Sequence, residues 1–324
     1  MRFRLGTAED LPAALDLLRL NPGFRASEAV WARVLPAWRR WLANDQMNLV
    51  LWEDERMGPA ERLRATGLSM FVTDAFAESA IRSGEPYPAR RLYEDADGAD
   101  SAVLSLEAIG RANAQDGVNL FVLHNPMREH DLQHPSQKEL LPLGPQAFYF
   151  CHAGYYVKTL LWECYGEQHI DYLVGGGFSL LSSYAPGHPE LAAAGPQYRP
   201  FLGGLRRPPQ IDNSYDPMRL WMFNRSEPLL GFTPAQQKLL RFALLGYTDR
   251  ELEAQLGTSA NTLKQRWNRI FETMVRVFPP DAIAADGDAD ASIPPGGSPP
   301  RLPKRHHVLD YVRQNMHELR PFRR

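Results

Sequence analysis

Cysteine is nearly absent: the 324 residues contain two, Cys151 and Cys164. That excludes a disulfide-stapled secreted scaffold and fits a reducing cytoplasm with two buried thiols. No signal-peptide pattern and no long apolar run occurs, so the expected location is cytoplasmic, with no membrane partner. An excess of charge of one sign is also missing. Lys and Arg number 36 against 38 Asp and Glu, a net charge of −2, so any affinity for nucleic acid must come from a local basic face. His124, His130, His134 and His152 share one region but lack the tight pairs of a zinc site. No metal and no cofactor is therefore expected. Gly175-Gly176-Gly177 lacks the fingerprint of a dinucleotide loop and reads as a turn.

What is present is the composition of an ordinary globular protein, 44% apolar and 23% charged, with length for two domains. Met1 to Leu5 alternates as a strand, and Thr7 with Asp10 caps a helix carrying Leu11, Leu15 and Leu18. A second helix, about Ser27 to Asn44, places Val30, Val34, Trp38 and Trp41 on a core face. Asn48–Glu53 and Arg62–Thr73 read as a strand hairpin, and Asp74–Ala102 as a long polar excursion. A helix over Val103–Gln115 feeds the apolar strand Val118–Leu123, whose continuous hydrophobicity predicts a covered, central position in a sheet. A polar loop, a helix near Gln146–Ala153, a strand over Tyr155–Tyr165, a short helix and a last strand, Phe178–Tyr184, follow. Residues 1–185 thus read as an α/β domain, and 186–230 as a Pro/Gly-rich connector.

The stretch from Gly231 to Met274 carries the clearest local signals. Thr233 with Gln236, and Thr248 with Glu251, form two capping boxes, and Ser259 caps a third helix. Gly246 and Gly257 stand where helices end. Leu239, Leu240, Leu252, Leu263, Trp267, Ile270 and Met274 make the apolar faces. Two short helices, a tight turn and a longer third helix predict a helix-turn-helix. Residues 279–303 read as a disordered linker and 304–320 as an amphipathic helix, best covered by packing on its own protein.

This stretch resembles the LuxR-type (NarL/FixJ-like) DNA-binding domain, through Thr233-Pro234, Leu239-Leu240, Gly246, Glu251-Leu252, Leu256, Ser259, Thr262-Leu263-Lys264 and Ile270. The resemblance implies base contacts from Lys264, Gln265 and Asn268 and phosphate contacts from Thr262, Arg266 and Arg269. Three departures stand out. Lys238 replaces an acidic residue, Arg266 a histidine, and Phe278-Pro279-Pro280 occupies the place of a fourth helix.

The first half resembles the GNAT acetyltransferase fold, in the opening RFRLGTAEDLPAALDLL and in the run from Ala147 to Tyr155. That family holds acyl-CoA pyrophosphate on a Q/R-x-x-G-x-G/A loop, and no such run precedes Val103. The tyrosine that serves as its general acid aligns with Phe150, which has no proton to give. The resemblance therefore implies a degenerate, non-catalytic domain.

The expectation from sequence is an α+β chain: a GNAT-like sheet domain (1–185), the connector, an all-α helix-turn-helix domain (231–278), the linker and the C-terminal helix. Its expected function is sequence-specific transcriptional regulation without enzymatic activity. Double-stranded DNA is the expected partner, with a homodimer and a ligand- or partner-sensing first domain. The competing readings are a GNAT-like acyltransferase with an accessory helical domain, and a helix-turn-helix used for protein interaction.

Overall fold

The computed structural model describes residues 1–95, 101–184, 187–192, 195–208, 221–278 and 305–323. They form two compact units, Met1–Arg225 with Phe322–Arg324, and Ser226–Pro321.

The first unit is organised by a seven-stranded sheet: β1 Arg2–Leu5, β2 Met47–Glu53, β3 Leu63–Val72, β4 Val118–His124, β5 Val157–Tyr165, β6 Ser179–Ser182 and β7 Pro200–Arg206. Its order is β1-β2-β3-β4-β5-β7-β6. Adjacent strands are antiparallel except β4 and β5, which run parallel. The helices are α1 Leu11–Arg19, α2 Glu28–Ala43, α3 Asp74–Arg82, α4 Pro88–Glu94, α5 Leu106–Ala114, α6 Pro135–Leu140, α7 Leu143–His152, α8 Glu167–Gly175 and the short α9 Pro189–Ala192.

Both sheet faces are covered. On one, Leu11, Val34, Trp38 and Trp41 of α1 and α2 join Leu49, Met70, Phe121, Leu123 and Leu161. On the other, Ile109 of α5 and Ile170 and Leu173 of α8 join Phe71, Leu120, Val122 and Leu160. β4 is buried along its whole length, in the central position its unbroken apolar run implies.

Three segments read as loops hold regular structure. Within Asp74–Ala102 lie α3 and α4. The Thr73 hydroxyl accepts from Phe76 N–H to start α3, which buries Phe76, Ala77 and Ala80 under a charged outer face. Small alanines give too weak an apolar period to announce such a helix. α6 lies within the expected loop from Met127 to Leu143. The Pro/Gly-rich connector contributes β7, which enters between β5 and β6. Pro200 stands at the strand's first residue, where a missing N–H is tolerated. Gly204 is required by contact: a Cβ there would lie 2.4 Å from the Leu160 carbonyl oxygen.

The second unit contains α10 Pro234–Leu244, α11 Asp249–Leu256, α12 Ala260–Val277, α13 Arg305–Gln314 and a 3-10 turn, Met316–Leu319. Both capping boxes form: Gln236 Oε1 accepts from Thr233 N–H at 2.8 Å and Glu251 Oε2 from Thr248 N–H at 2.7 Å. Val308, Val312, Met316 and Leu319 are buried. Gln237 Nε2 donates to the Glu318 and Arg320 carbonyls at 3.2 and 2.9 Å, tying the turn to α10. Arg320 is fully buried. The expected linker, 279–303, lies outside the described residues.

Candidate active site

The strands β4 and β5 pair only from Val118↔Val157 to Val122↔Trp162, with a register shift after Val118. Beyond the last pair, Leu123 and His124 on one strand and Glu163, Cys164 and Tyr165 on the other have no partner in each other, and the sheet forks. The cause lies on the opposite edge of β4. Leu68 pairs with His124 but Ser69 with Val122, so Leu123 is the extra residue of a β-bulge. A bulge bends its strand and re-aims the side chains after it. Without the bulge, alternation would put His124 on the face of Val122. Instead it meets Phe24 and Trp38, with ring centroids at 4.5 and 6.1 Å, on the face of α1 and α2.

Glu163, the first β5 residue past the fork, faces the same side and is 7% exposed. Its Oε1 accepts from the Tyr87 backbone N–H at 2.7 Å and the Tyr184 hydroxyl at 2.8 Å, and its Oε2 from the Tyr165 hydroxyl at 3.1 Å. Burial raises its pKa to about 7, against the lowering pull of these three hydrogen bonds. Three non-glycine residues among those described have positive φ: Asp45, Tyr87 and Tyr184. Two of the three bind Glu163. Left-handed backbone costs a bulky residue about 1–2 kcal/mol, and such outliers persist where the surroundings over-determine them.

His124 is held by a relay. Trp38 Nε1–H, which can only donate, gives its proton to the Tyr93 oxygen at 2.9 Å, and the Tyr93 hydroxyl lies 2.7 Å from His124 Nε2. With the indole on its oxygen, Tyr93 satisfies its own proton by donating to Nε2, which leaves the imidazole proton on Nδ1. Burial pushes the His124 pKa down to about 3, so the ring is neutral at physiological pH. Nδ1–H has no side-chain or backbone acceptor among the described residues.

A cavity of about 560 Å³ opens at the fork, lined by Leu123, His124, Glu163, Tyr165, His169 and Tyr172 among others. A second, about 580 Å³ and largely apolar, lies beneath α7 and α8 and shares Trp162, Met127 and Tyr172 with the first.

The helical crossover between β4 and β5 spans α6 and α7. There the chain has no glycine from Asn125 to Leu143, and Gly144 alone matches the Q/R-x-x-G-x-G/A pattern. Arg128 is spent on the Leu63 and Ala60 carbonyls. These residues do not form a diphosphate cradle. Phe150, aligned with the family's tyrosine, lies on α7, before β5, where its ring meets Phe3. The helix after β5 is α8, and it carries Tyr172, half-exposed and lining both cavities.

The four histidines do not converge. His124 and His152 are buried in separate networks, His130 meets the Leu20 carbonyl, and His134 caps α6. Among the described residues no group of three or more His, Cys, Asp or Glu side chains could hold a metal ion, and no helix is long and apolar enough to cross a membrane. Both cysteines are free and buried. In the second unit, Lys264, Gln265, Asn268 and Arg269 are exposed on α12, while Thr262 and Arg266 are half-buried. The Thr262 hydroxyl is bonded to Ser259 at 3.1 Å.

No protein-family profile and no curated protein sequence matches the chain. Solved structures similar to it cover 54% to 65% of its length and share the GNAT acetyltransferase fold. One is a histone acetyltransferase HPA2 and related acetyltransferase from Corynebacterium glutamicum, 12% identical over 65% of this chain and 98% of that one, with a TM-score of 0.35. Another is Arabidopsis thaliana NAA60 in complex with acetyl-CoA, 12% identical over 63% and 97%, TM-score 0.35. A third is GphF, a GNAT-like decarboxylase in complex with isobutyryl-CoA, 12% identical over 64% and 99%, TM-score 0.36.

These findings overturn the expectation of a LuxR-type transcriptional regulator that binds double-stranded DNA and has no enzymatic activity. The proteins this chain is similar to are acetyltransferases and acyl-CoA-binding enzymes. The physical reason for the misreading is plain. Caps and apolar spacing specify a helical unit but not its ligand, and exposed cationic and amide side chains are what any solvated helix face presents.

Proposed function

We propose that the first unit is an acyltransferase, moving an acyl group from a thioester to an amine at the β4/β5 fork. The observation that carries the reading is the fork itself, where a bulged strand and its departing neighbour open a cavity beside a buried carboxyl that titrates near neutrality. Strand edges freed from pairing offer backbone N–H and C=O groups to an extended, amide-containing acyl carrier.

In this reading the amine nitrogen attacks the thioester carbonyl carbon and Glu163 takes the proton the nitrogen sheds. A base with pKa near the working pH is suited to that step. His124 offers its neutral Nδ1–H to the carbonyl oxygen as charge develops there. The C–S bond breaks, and the thiolate receives a proton from Tyr172, the phenol at the cavity mouth. Without a diphosphate cradle, recognition falls on the acyl group and the thiol arm.

The test is thiol release from acyl-CoA and from the matching acyl-pantetheine across a panel of amines, with calorimetric binding of each. Saturable binding of both within about tenfold, and amine-dependent thiol release, are expected. Glu163→Gln should lower turnover about 10²–10⁴-fold. No saturable binding of either thioester to the folded protein sinks the proposal.

A further inference from the structure

The second cavity contains a pair of polar groups that acyl transfer at the fork does not use. Ser69, on the β3 face away from α1 and α2, has its Oγ 2.8 Å from His152 Nε2. His152 Nδ1 lies 2.8 Å from the Phe148 carbonyl oxygen, one turn back on α7. A carbonyl can only accept, so the imidazole proton sits on Nδ1 and Nε2 is left to accept the Ser69 proton. Nucleophile, base and the group that orients the base are thus in hydrogen-bonding sequence. Both side chains are buried, and both line the cavity of about 580 Å³.

The rest of the wall suits a hydrocarbon chain: Val50, Trp52, Val122, Met127, Phe148 and Phe178. Gly67, between Ala65 and Ser69 on the same face, lets the Trp52 ring lie directly over the strand, since a Cβ there would be 2.9 Å from that ring.

We infer that Ser69 is an acyl-accepting nucleophile, with His152 as its base, for aliphatic esters or thioesters whose chain occupies this cavity. Ser69 Oγ bonds to the carbonyl carbon as its proton passes to His152 Nε2. The ester or thioester bond then breaks, and the departing alkoxide or thiolate takes that proton. Water attacks the Ser69 ester, gives its proton to His152, and releases the carboxylic acid as Ser69 regains a proton. The inference does not rest on the reading of the fork.

The experiment is reaction of the full chain with an alkyl fluorophosphonate, with the modified residue located by peptide mass spectrometry, alongside hydrolysis of p-nitrophenyl butyrate. A single adduct on Ser69 is expected, absent in Ser69→Ala and formed at least about tenfold more slowly in His152→Gln. Ester hydrolysis should fall in parallel. Thermal melting curves establish that each variant is folded. Absence of a Ser69 adduct in the folded wild-type protein overturns the inference, as does an adduct whose rate is unchanged in folded His152→Gln.

Discussion

Tyr87 donates its backbone N–H, not its hydroxyl, to Glu163 Oε1, at 2.7 Å. It does so from a left-handed conformation, φ 61° and ψ 52°, at the start of α4 and directly before Pro88. Tyr184 reaches the same oxygen from a second left-handed residue, φ 55°. Backbone strain on either side of one carboxyl marks that carboxyl as the group the local structure is built to hold.

Stability should depend on Glu163 with a definite sign. Its pKa is about 7 in the fold and 4.5 in the unfolded chain, so the folded state binds more protons between those values. Its contribution is fully present below pH 4.5 and is lost as pH rises through about 7, a change of about 3 kcal/mol. Urea midpoints measured from pH 4 to 8 should decline across this window in wild type and flatten in Glu163→Gln. Parallel curves would dissociate the slope from this residue.

Tyr184→Phe removes one donor from the carboxylate while leaving the ring. Because that bond lowers the Glu163 pKa, its loss should raise it. The ascending limb of kcat/KM against pH should move up by about one unit. An unmoved limb would show that another group sets it.

His124 should remain neutral, with its proton on Nδ1, throughout the physiological range. Burial lowers its pKa from 6.5 to about 3, so the stability it contributes is present above pH 6.5 and lost as pH falls towards 3. Nitrogen-15 chemical shifts of its ring, recorded from pH 8 to pH 5, should stay those of the neutral Nδ1–H form. Titration within that interval would contradict the relay.

Trp38→Phe deletes the donor that begins the relay and leaves unfilled space in the core of the first unit. A loss of about 2–4 kcal/mol in unfolding free energy is expected. Chemical denaturation measures it directly, and a change under about 0.5 kcal/mol would mean that the relay carries no structural weight.

In the second unit, Glu318 is fully buried and accepts from the Leu229 and Leu230 N–H groups, at 2.9 and 3.0 Å, and from the Tyr311 hydroxyl at 3.1 Å. Glu318→Ala leaves the buried Leu230 amide and the part-buried Leu229 amide without an acceptor and should cost about 2–4 kcal/mol. Hydrogen exchange at Leu229 and Leu230 should speed up accordingly. Unchanged protection there would assign their stability to packing alone.

Local chemistry was legible wherever one segment contains its own reason. The Thr233 and Thr248 capping boxes, the apolar period of α2 and the unbroken apolar run of β4 each specify an element without help from the rest of the chain. β7 was not legible, because Pro200 and Gly203-Gly204 suit a loop as well as a strand packed closely on the Leu160 carbonyl. The resemblance of α12 to a DNA-reading helix misled for the related reason that exposed polar residues do not name a partner.

By itself, then, the sequence determined the α+β class, most element positions and the central place of β4, since caps, periodicity and burial act within a few residues of one another. Tertiary structure alone decided the site. Glu163 is joined by Tyr87 and Tyr184, 76 and 21 residues away, and Ser69 by His152, 83 residues away. The bulge at Leu123 that turns His124 towards the fork exists only as a mismatch between two strands. No window along the chain contains a pairing register, and the register creates the fork, its cavity and the environment that shifts its carboxyl.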